Sequence, residues 1–138
     1  MFLLDTNVVS ELRRPEKANP NVLAWASARP LACFFISSIT LLEIELGALL
    51  IERKDTAQGA ILRSWIEHQV LPRFEGRILP VDADVARYCA RLHVPDPRSE
   101  RDALIAATAL VHGMTVITRN IADFNPTGVP TINPWVLS

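Results

Sequence analysis

Short apolar runs alternate along this chain with stretches of helical periodicity, and this alternation constrains the fold more than any other feature of the sequence. The runs predicted to be strands are Phe2–Leu4, Cys33–Ser37, Arg77–Leu79, Thr115–Thr118 and Thr131–Ile132. Strands that are separated by helices favour a parallel sheet with helices packed on both faces. We therefore predict an α/β fold with a central parallel sheet.

Two consecutive helices are predicted in the middle of the chain. Thr40 and Glu43 match the capping-box pattern, in which both side chains satisfy free amides at a helix N-terminus, and this helix should run to about Lys54. Apolar residues at helical spacing follow from Gln58 to Val70, and Pro72 should end that helix. The two helices are predicted to pack as a hairpin, an excursion of residues 40–72 within the same domain.

The second half of the chain contains two further predicted helices. Asp82 is expected to cap a helix that runs through Leu92. Val94–Ser99 contains two prolines and is predicted to be a loop. The alanine-rich segment Asp102–His112 is predicted to be a helix, which Gly113 ends.

Several kinds of site are disfavoured by the residues present. Cys33 and Cys89 lie far apart without a CxxC pattern, which indicates buried thiols rather than a disulfide or a metal site. The three histidines have no spacing that pairs them with each other or with cysteine, which disfavours zinc. The five glycines form no phosphate-binding loop, and Gly47, inside a helical pattern, is interpreted as a close helix contact.

Charge and hydropathy limit the classes of partner. The net charge is −1 and the pI is about 6.3, so the chain lacks the overall basic character of many nucleic-acid binders. Small basic clusters at Arg13–Lys17, Arg53–Lys54 and Arg98–Arg101 are interpreted as solvated helix ends unless they flank an active site. Hydrophobic residues make up 49% of the chain, which hints at surface that is buried against a second copy or a partner.

The sequence predicts one cytoplasmic domain over residues 1–138. Met1–Asp5 lacks the basic region and apolar stretch of a secretory signal. The longest uncharged apolar segment, Leu31–Leu42, is well short of the roughly 20 residues that span a bilayer. There are no internal repeats, low-complexity tracts or linkers that would divide the chain.

Polar residues follow several of the predicted strands or begin neighbouring helices. These candidates are Asp5, Glu43, Asp102, Asn120 and Asp123. Ligands bind outside the carboxyl ends of the strands in an open parallel sheet, so these side chains are expected to converge on one crevice. Carboxylates gathered there repel one another unless a cation intervenes, and hard oxygen ligands favour magnesium or manganese over zinc.

Each of these acids also has a purely structural interpretation. Asp5 could be a helix N-cap, Glu43 could serve only the Thr40 capping box, and Asp102 could complement a helix dipole. Asp123 precedes Asn125 and Pro126 and could be a turn residue. The case for a site therefore depends on whether the fold brings these residues together.

Segments that contain these residues resemble the PIN-domain family, within its VapC and FitB group of toxins. The resembling segments are Leu3–Asn7 (LLDTN), Ser37–Gly47 (SSITLLEIELG), Asp102–Thr108 (DALIAAT), Val116–Asp123 (VITRNIAD) and Asn133–Trp135 (NPW). No single motif is specific, but their order and separation are, and the likeness covers essentially the whole chain. The resemblance implies the sheet order 3-2-1-4-5, a homodimer and magnesium-dependent hydrolysis of RNA.

The resemblance also implies roles for individual residues. The family's acidic positions fall on Asp5, Glu43 and Asp102, with Asp5 and Asp102 binding magnesium (or manganese) directly and Glu43 acting as a ligand or holding the attacking water. Many members carry a fourth acid where this chain has Asn120, so either Asp123 substitutes for it or the fourth ligand is neutral. Thr6 and Thr118 are expected to be hydrogen-bonding neighbours of the site.

The implied partners follow from the same resemblance. A toxin of this group acts on RNA and is held by a cognate antitoxin, and the hetero-oligomer of the two binds operator DNA through the antitoxin. No membrane association is implied.

Three other interpretations of these acidic residues compete with this one. A receiver-like phosphoacceptor module needs a lysine beyond the last strands, but the only lysines, Lys17 and Lys54, lie in the first half of the chain. A haloacid-dehalogenase-like phosphatase needs a second aspartate where Asn7 stands. The remaining alternative is a catalytically silent PIN-like module that binds a protein or nucleic acid.

Overall fold

The computed structural model describes residues 1–136 and contains a five-stranded, wholly parallel sheet. Its strands are β1 (Phe2–Leu4), β2 (Phe34–Ser37), β3 (Ile78–Leu79), β4 (Thr115–Ile117) and β5 (Thr131–Ile132). The spatial order is β3-β2-β1-β4-β5, so β1 lies in the centre and pairs with both β2 and β4. The predicted α/β class and strand order are confirmed.

In the described residues, eight α-helices connect and cover these strands. They are α1 (Thr6–Glu11), α2 (Pro20–Ser27), α3 (Ser38–Lys54), α4 (Thr56–Trp65), α5 (Leu71–Arg73), α6 (Ala83–Leu92), α7 (Glu100–His112) and α8 (Ile121–Phe124). One turn of π-helix, Ile66–Val70, joins α4 to α5. Within residues 1–136 no helix is long and apolar enough to cross a membrane.

The alternation of side chains along β1 places a core on each face of the sheet. Leu4 packs with Val8, Ile44 and Ile66 in a cluster that α1, α3 and the end of the hairpin cover. Leu3 faces the opposite side and packs against Ile105 and other residues of α7 and α8. Because both faces of β1 are buried, the residue that follows it is fixed at the centre of the sheet edge.

The capping-box prediction for α3 is wrong. The helix begins at Ser38, and the Ser37 hydroxyl caps it by accepting a hydrogen bond from the Ile39 amide at 3.0 Å. Strand β2 runs directly into the helix, so the last strand residue becomes the cap. Thr40 is instead buried in the first turn, and among the described residues nothing hydrogen-bonds to its hydroxyl. Glu43 therefore has no capping role.

The predicted helical hairpin is present, but two of its details differ. Asp55 ends α3 and caps α4, so α4 begins at Thr56 rather than near Gln58. Pro72 does not end the helical path, which continues through the π turn to Arg73. Pro72 lies in the first turn of α5, where its missing N–H is tolerated.

The close contact between the helices of the hairpin occurs at Gly59, not at Gly47 as predicted. A Cβ built on Gly59 would lie 2.4 Å from Glu52 Cβ and 2.5 Å from Glu52 Cα. A Cβ built on Gly47 would meet no atom within 4 Å in the described part of the chain. The helical pattern pointed to Gly47 alone, whereas the crossing of α3 and α4 makes Gly59 the glycine in close contact.

These two glycines give a matched pair of stability predictions. Gly59→Ala should lower the free energy of unfolding by about 2 kcal/mol, because the new methyl group meets the α3 backbone, which cannot move aside. Gly47→Ala should raise it by about 0.5–1 kcal/mol through higher helix propensity. Urea denaturation of both variants tests this, and equal effects at the two positions would contradict the assigned contact.

Candidate metal centre

Asp5 lies where β1 ends and α1 begins, and its carboxylate is fixed by three hydrogen-bond donors. Oδ1 accepts from the Thr6 amide at 2.8 Å, so the residue caps α1 as the structural interpretation suggested. Oδ2 accepts from the Thr118 hydroxyl at 2.8 Å and from Asn7 Nδ2 at 3.3 Å. A carboxylate offers about four lone pairs. The three hydrogen bonds occupy three of them and leave roughly one for a further ligand.

A hydrogen-bond network joins the loop after β1 to the loop after β4. The backbone N–H of Asn120 donates to Thr118 Oγ1 at 3.0 Å, so the Thr118 hydroxyl proton is free to point at Asp5. Asn7 Oδ1 accepts from the Arg119 amide at 3.2 Å. Asp5 is only 5% exposed, and its carboxylate is positioned by residues that follow β1 and residues that follow β4.

Glu43 enters the site from the second turn of α3. Its Oε1 accepts a hydrogen bond from the Thr6 hydroxyl at 2.7 Å, and its Oε2 lies 3.8 Å from Arg101 Nη1. The Glu43 side chain is 25% exposed. Thr6 thus bridges two acids, since its amide binds Asp5 and its hydroxyl binds Glu43.

Asp102 lies in the first turn of α7 and is partly buried. Burial, together with the charges of Asp5, Asp123 and Glu43, raises the pKa of Asp102 to about 6, although a hydrogen bond from Ser99 acts in the opposite direction. The helix begins at Glu100, two residues before the predicted start. The negative charges of the other three acids therefore act directly on the carboxyl group of Asp102.

Asp123 and Asn120 differ in how they relate to the site. Asp123 lies on α8, a short helix that the sequence analysis did not predict, and its negative charge helps to raise the pKa of both Asp5 and Asp102. The Asn120 side chain makes no hydrogen bond to any residue that the structure describes. Asp123 therefore adds negative charge to the group of acids, whereas the uncharged Asn120 adds none.

Four carboxylates consequently share one edge of the sheet. Burial raises the pKa of Asp5, the charges of Glu43 and Asp123 add to this, and the hydrogen bonds from Thr118 and Thr6 oppose it. Within residues 1–136, no three of these acids bring carboxylate oxygens within 4.8 Å of one another. This donor set suits a hard divalent cation that keeps part of its water shell, as magnesium commonly does.

A second cluster corrects the prediction that no histidine pairs with a cysteine. His93 Nε2 lies 3.8 Å from both Cys89 Sγ and Glu100 Oε2, because Cys89 and His93 are one helical turn apart. However, His93 Nδ1 accepts a hydrogen bond from the Arg98 amide at 3.0 Å, which leaves the proton of the neutral ring on Nε2. A metal would need that nitrogen's lone pair, so we interpret the cluster as a link between α6 and α7.

Comparisons with known proteins agree on one family. The sequence profile of the PIN domain family matches residues 2–125. The chain is 38% identical over 140 residues to "VapC ribonuclease Y4jK" of Sinorhizobium fredii, with 98% of each chain covered. It is 41% identical over 142 residues to "Toxin FitB" of Neisseria gonorrhoeae, which covers 98% of this chain and 99% of the relative.

Solved structures give the same result. The crystal structure of FitAcB from Neisseria gonorrhoeae matches with a TM-score of 0.89 at 38% identity, covering 99% of this chain and 100% of that one. A structure of FitAB bound to a DNA fragment matches with a TM-score of 0.88 at 38% identity, covering 100% and 98%.

The raised pKa of Asp102 generates a prediction about stability. Because the folded-state pKa (about 6) exceeds the ordinary value of 3.8, the folded protein holds more protons than the unfolded chain between these pH values. The free energy of unfolding should therefore fall as pH rises from 4 to 6. In the absence of metal, Asp102→Asn should be more stable than wild type by about 1 kcal/mol at pH 7.5, after allowance for solvent screening.

Urea denaturation in EDTA at pH 4.5 and pH 7.5 measures this effect. The advantage of Asp102→Asn should appear at the higher pH and shrink at the lower one. Glu75→Gln, which removes one negative charge from an exposed turn, is the control and should show no such change. A pH-independent difference for Asp102→Asn would contradict the assigned repulsion.

Proposed function

This chain belongs to the PIN domain family, and we propose that it is the endoribonuclease toxin of a type II toxin–antitoxin module, hydrolysing RNA phosphodiester bonds with magnesium. The observation that carries this proposal is the group of four mutually repelling carboxylates, Asp5, Glu43, Asp102 and Asp123, at one edge of the sheet. Such a group is costly to hold without a cation, and a divalent cation at this edge would attract a phosphodiester. The named relatives include a ribonuclease and a toxin.

In this proposal Asp5 and Asp102 hold magnesium, for which manganese can substitute. When bound, the ion supplies a Lewis acid that activates water and offsets charge on the phosphodiester during in-line attack. Asp5 is suited to this role because its three hydrogen bonds fix its orientation and leave a lone pair free. No side chain needs to form a covalent intermediate.

Other residues would orient the reaction. Thr6 holds Glu43 in place, so Glu43 can serve as a ligand or accept a proton from the attacking water. Thr118 fixes the second oxygen of Asp5. Asp123 would act as the fourth acid, while Asn120 would help to position water from the rim.

A cytoplasmic location is proposed because the protein would meet RNA and its antitoxin there.

The runner-up is a catalytically silent PIN domain that only binds a partner or nucleic acid. Such a protein would have no need to keep a cluster of four carboxylates whose charges raise the pKa of Asp5 and Asp102. Their retention favours the enzyme.

The proposed protein partner is a cognate antitoxin, through which the assembly would bind operator DNA. The relatives' structures described above contain such pairs, one of them bound to DNA. In this chain an apolar groove of about 220 Å³ lies between α1, α2 and the end of the hairpin. Leu12, Leu23, Trp65 and Phe74 line it, and Leu31 lies at its exposed rim. An apolar segment of the antitoxin would fill this groove.

A homodimer is also proposed, with the α3–α4 hairpin as its main contributor. Leu49, Leu50 and Ile61 are exposed on this hairpin, about half of each side chain being accessible. Large apolar side chains grouped in this way are typical of interfaces.

The first prediction from this function concerns catalysis. Cleavage of RNA should require magnesium or manganese and should stop in excess EDTA. Asp5→Asn and Asp102→Asn should each reduce the rate about 100-fold or more, because each removes a charged ligand. Asp123→Asn should reduce it far more than Asn120→Ala. Gel assays of purified protein measure these rates, with Glu75→Gln as the unaffected control, and full activity in EDTA would overturn the mechanism.

The second prediction concerns inhibition by the antitoxin encoded beside this chain's gene. If an antitoxin arginine binds the carboxylates in place of magnesium, antitoxin affinity should fall several-fold as magnesium rises, and Asp5→Asn should weaken it. If the groove alone supplies affinity, only a change such as Leu31→Asp should matter. Calorimetric titration at low and high magnesium separates these outcomes, with Val94→Asp, at an exposed position outside the groove, as control.

A further inference from the structure

Arg101 is the one cation that forms an ion pair with the four acids, as far as residues 1–136 are concerned. Its Nη1 lies 3.8 Å from Glu43 Oε2, whereas the other ion pairs described join Arg63 to Glu52 and His93 to Glu100. At 3.8 Å the contact is electrostatic rather than a hydrogen bond. Glu43 therefore attracts Arg101 toward the metal centre without holding it firmly.

The N–H donors of Arg101 make no hydrogen bond to any of residues 1–136. By contrast, two arginines bind the fold through backbone carbonyls: Arg98 Nε donates to Leu92 O at 2.8 Å, and Arg29 Nη1 donates to Trp25 O at 2.7 Å. The Arg101 guanidinium makes no hydrogen bond within the described chain, and its side chain is 48% exposed. Five N–H groups are thus available to a ligand at the rim of the carboxylate cluster.

The position of Arg101 is also unfavourable for the helix that carries it. Arg101 lies in the first turn of α7, where the helix dipole favours negative rather than positive charge. Neither helix stability nor a structural hydrogen bond explains an arginine here. Residues that break a local rule without structural compensation are candidates for a functional role.

We propose that Arg101 binds a phosphate oxygen of the RNA at the metal centre, and that Glu43 holds the guanidinium there until RNA arrives. The proposal rests on the RNA-cleaving function above and names a substrate-binding residue for it. A planar guanidinium can bind phosphate through two parallel hydrogen bonds, which a lysine cannot reproduce. It would also let a strongly acidic site accept a polyanion.

Two effects of opposite sign follow from removing this charge. RNA binding should weaken, because one phosphate contact and its counterion release are lost. Divalent metal binding should tighten, because a positive charge beside the carboxylates is gone. An arginine that is merely solvated would change neither, and one that only neutralises Glu43 would change metal binding alone.

The experiment uses the full-length chain. Binding of a fluorescein-labelled, mixed-sequence single-stranded RNA is followed by anisotropy in EDTA from 50 to 300 mM KCl, and Mn²⁺ binding without RNA is followed by calorimetry. Arg101→Gln is compared with Arg101→Lys and with Arg87→Gln, which makes the same charge change on the exposed surface of α6. Retained melting temperatures verify that the variants fold.

Arg101→Gln should bind RNA about five- to ten-fold more weakly at 50 mM KCl, and its log–log salt slope should fall by about 0.7. Its Mn²⁺ affinity should rise two- to five-fold. Arg101→Lys should keep the slope but lose part of the affinity, and Arg87→Gln should match wild type in both assays. Wild-type RNA binding by Arg101→Gln overturns the inference, whether or not Mn²⁺ binding tightens. If wild-type protein neither binds nor cuts RNA, the proposed function itself fails.

Discussion

Mutual repulsion among carboxylates is the constraint around which the site is arranged, and the position of Asp5 is what makes that repulsion unavoidable. Asp5 follows the central strand, is buried on both sides, and is fixed by Thr6, Asn7 and Thr118. It cannot turn away when the other acids approach. The rigidity of this one side chain therefore keeps the acids crowded at this edge of the sheet, which lowers stability and which the proposed cation would offset.

Most of the fold follows from local sequence signals. Apolar runs predict all five strands, and the Asp82 cap and the left-handed Gly113 at the end of α7 have the predicted roles. Two of the failed predictions did so because one local signal competed with another or with tertiary packing. Ser37 caps α3 in preference to Thr40 because the strand leads straight into the helix, and only the crossing of two helices selects Gly59 over Gly47.

The site was predictable in outline and not in detail. Asp5, Glu43 and Asp102 follow from the rule that ligands gather at the carboxyl ends of parallel strands. The choice between Asn120 and Asp123 depends on the short helix α8, which four residues encode too weakly to be recognised. The pairing of Arg101 with Glu43 joins positions far apart in sequence and has no local signature.

The order in which the chain is synthesised gives the pairing of β1 with β4 a further consequence. Asp5 is made well before its partners, because its amide bonds to Ile117 and its carboxylate to Thr118, and Asp102 and Asp123 also follow it in the chain. On the ribosome, β1 has only β2 as a neighbour until about residue 118 has emerged. A nascent chain therefore cannot assemble the four acids into one cluster until the segment that carries Thr118 and Asp123 has left the ribosome.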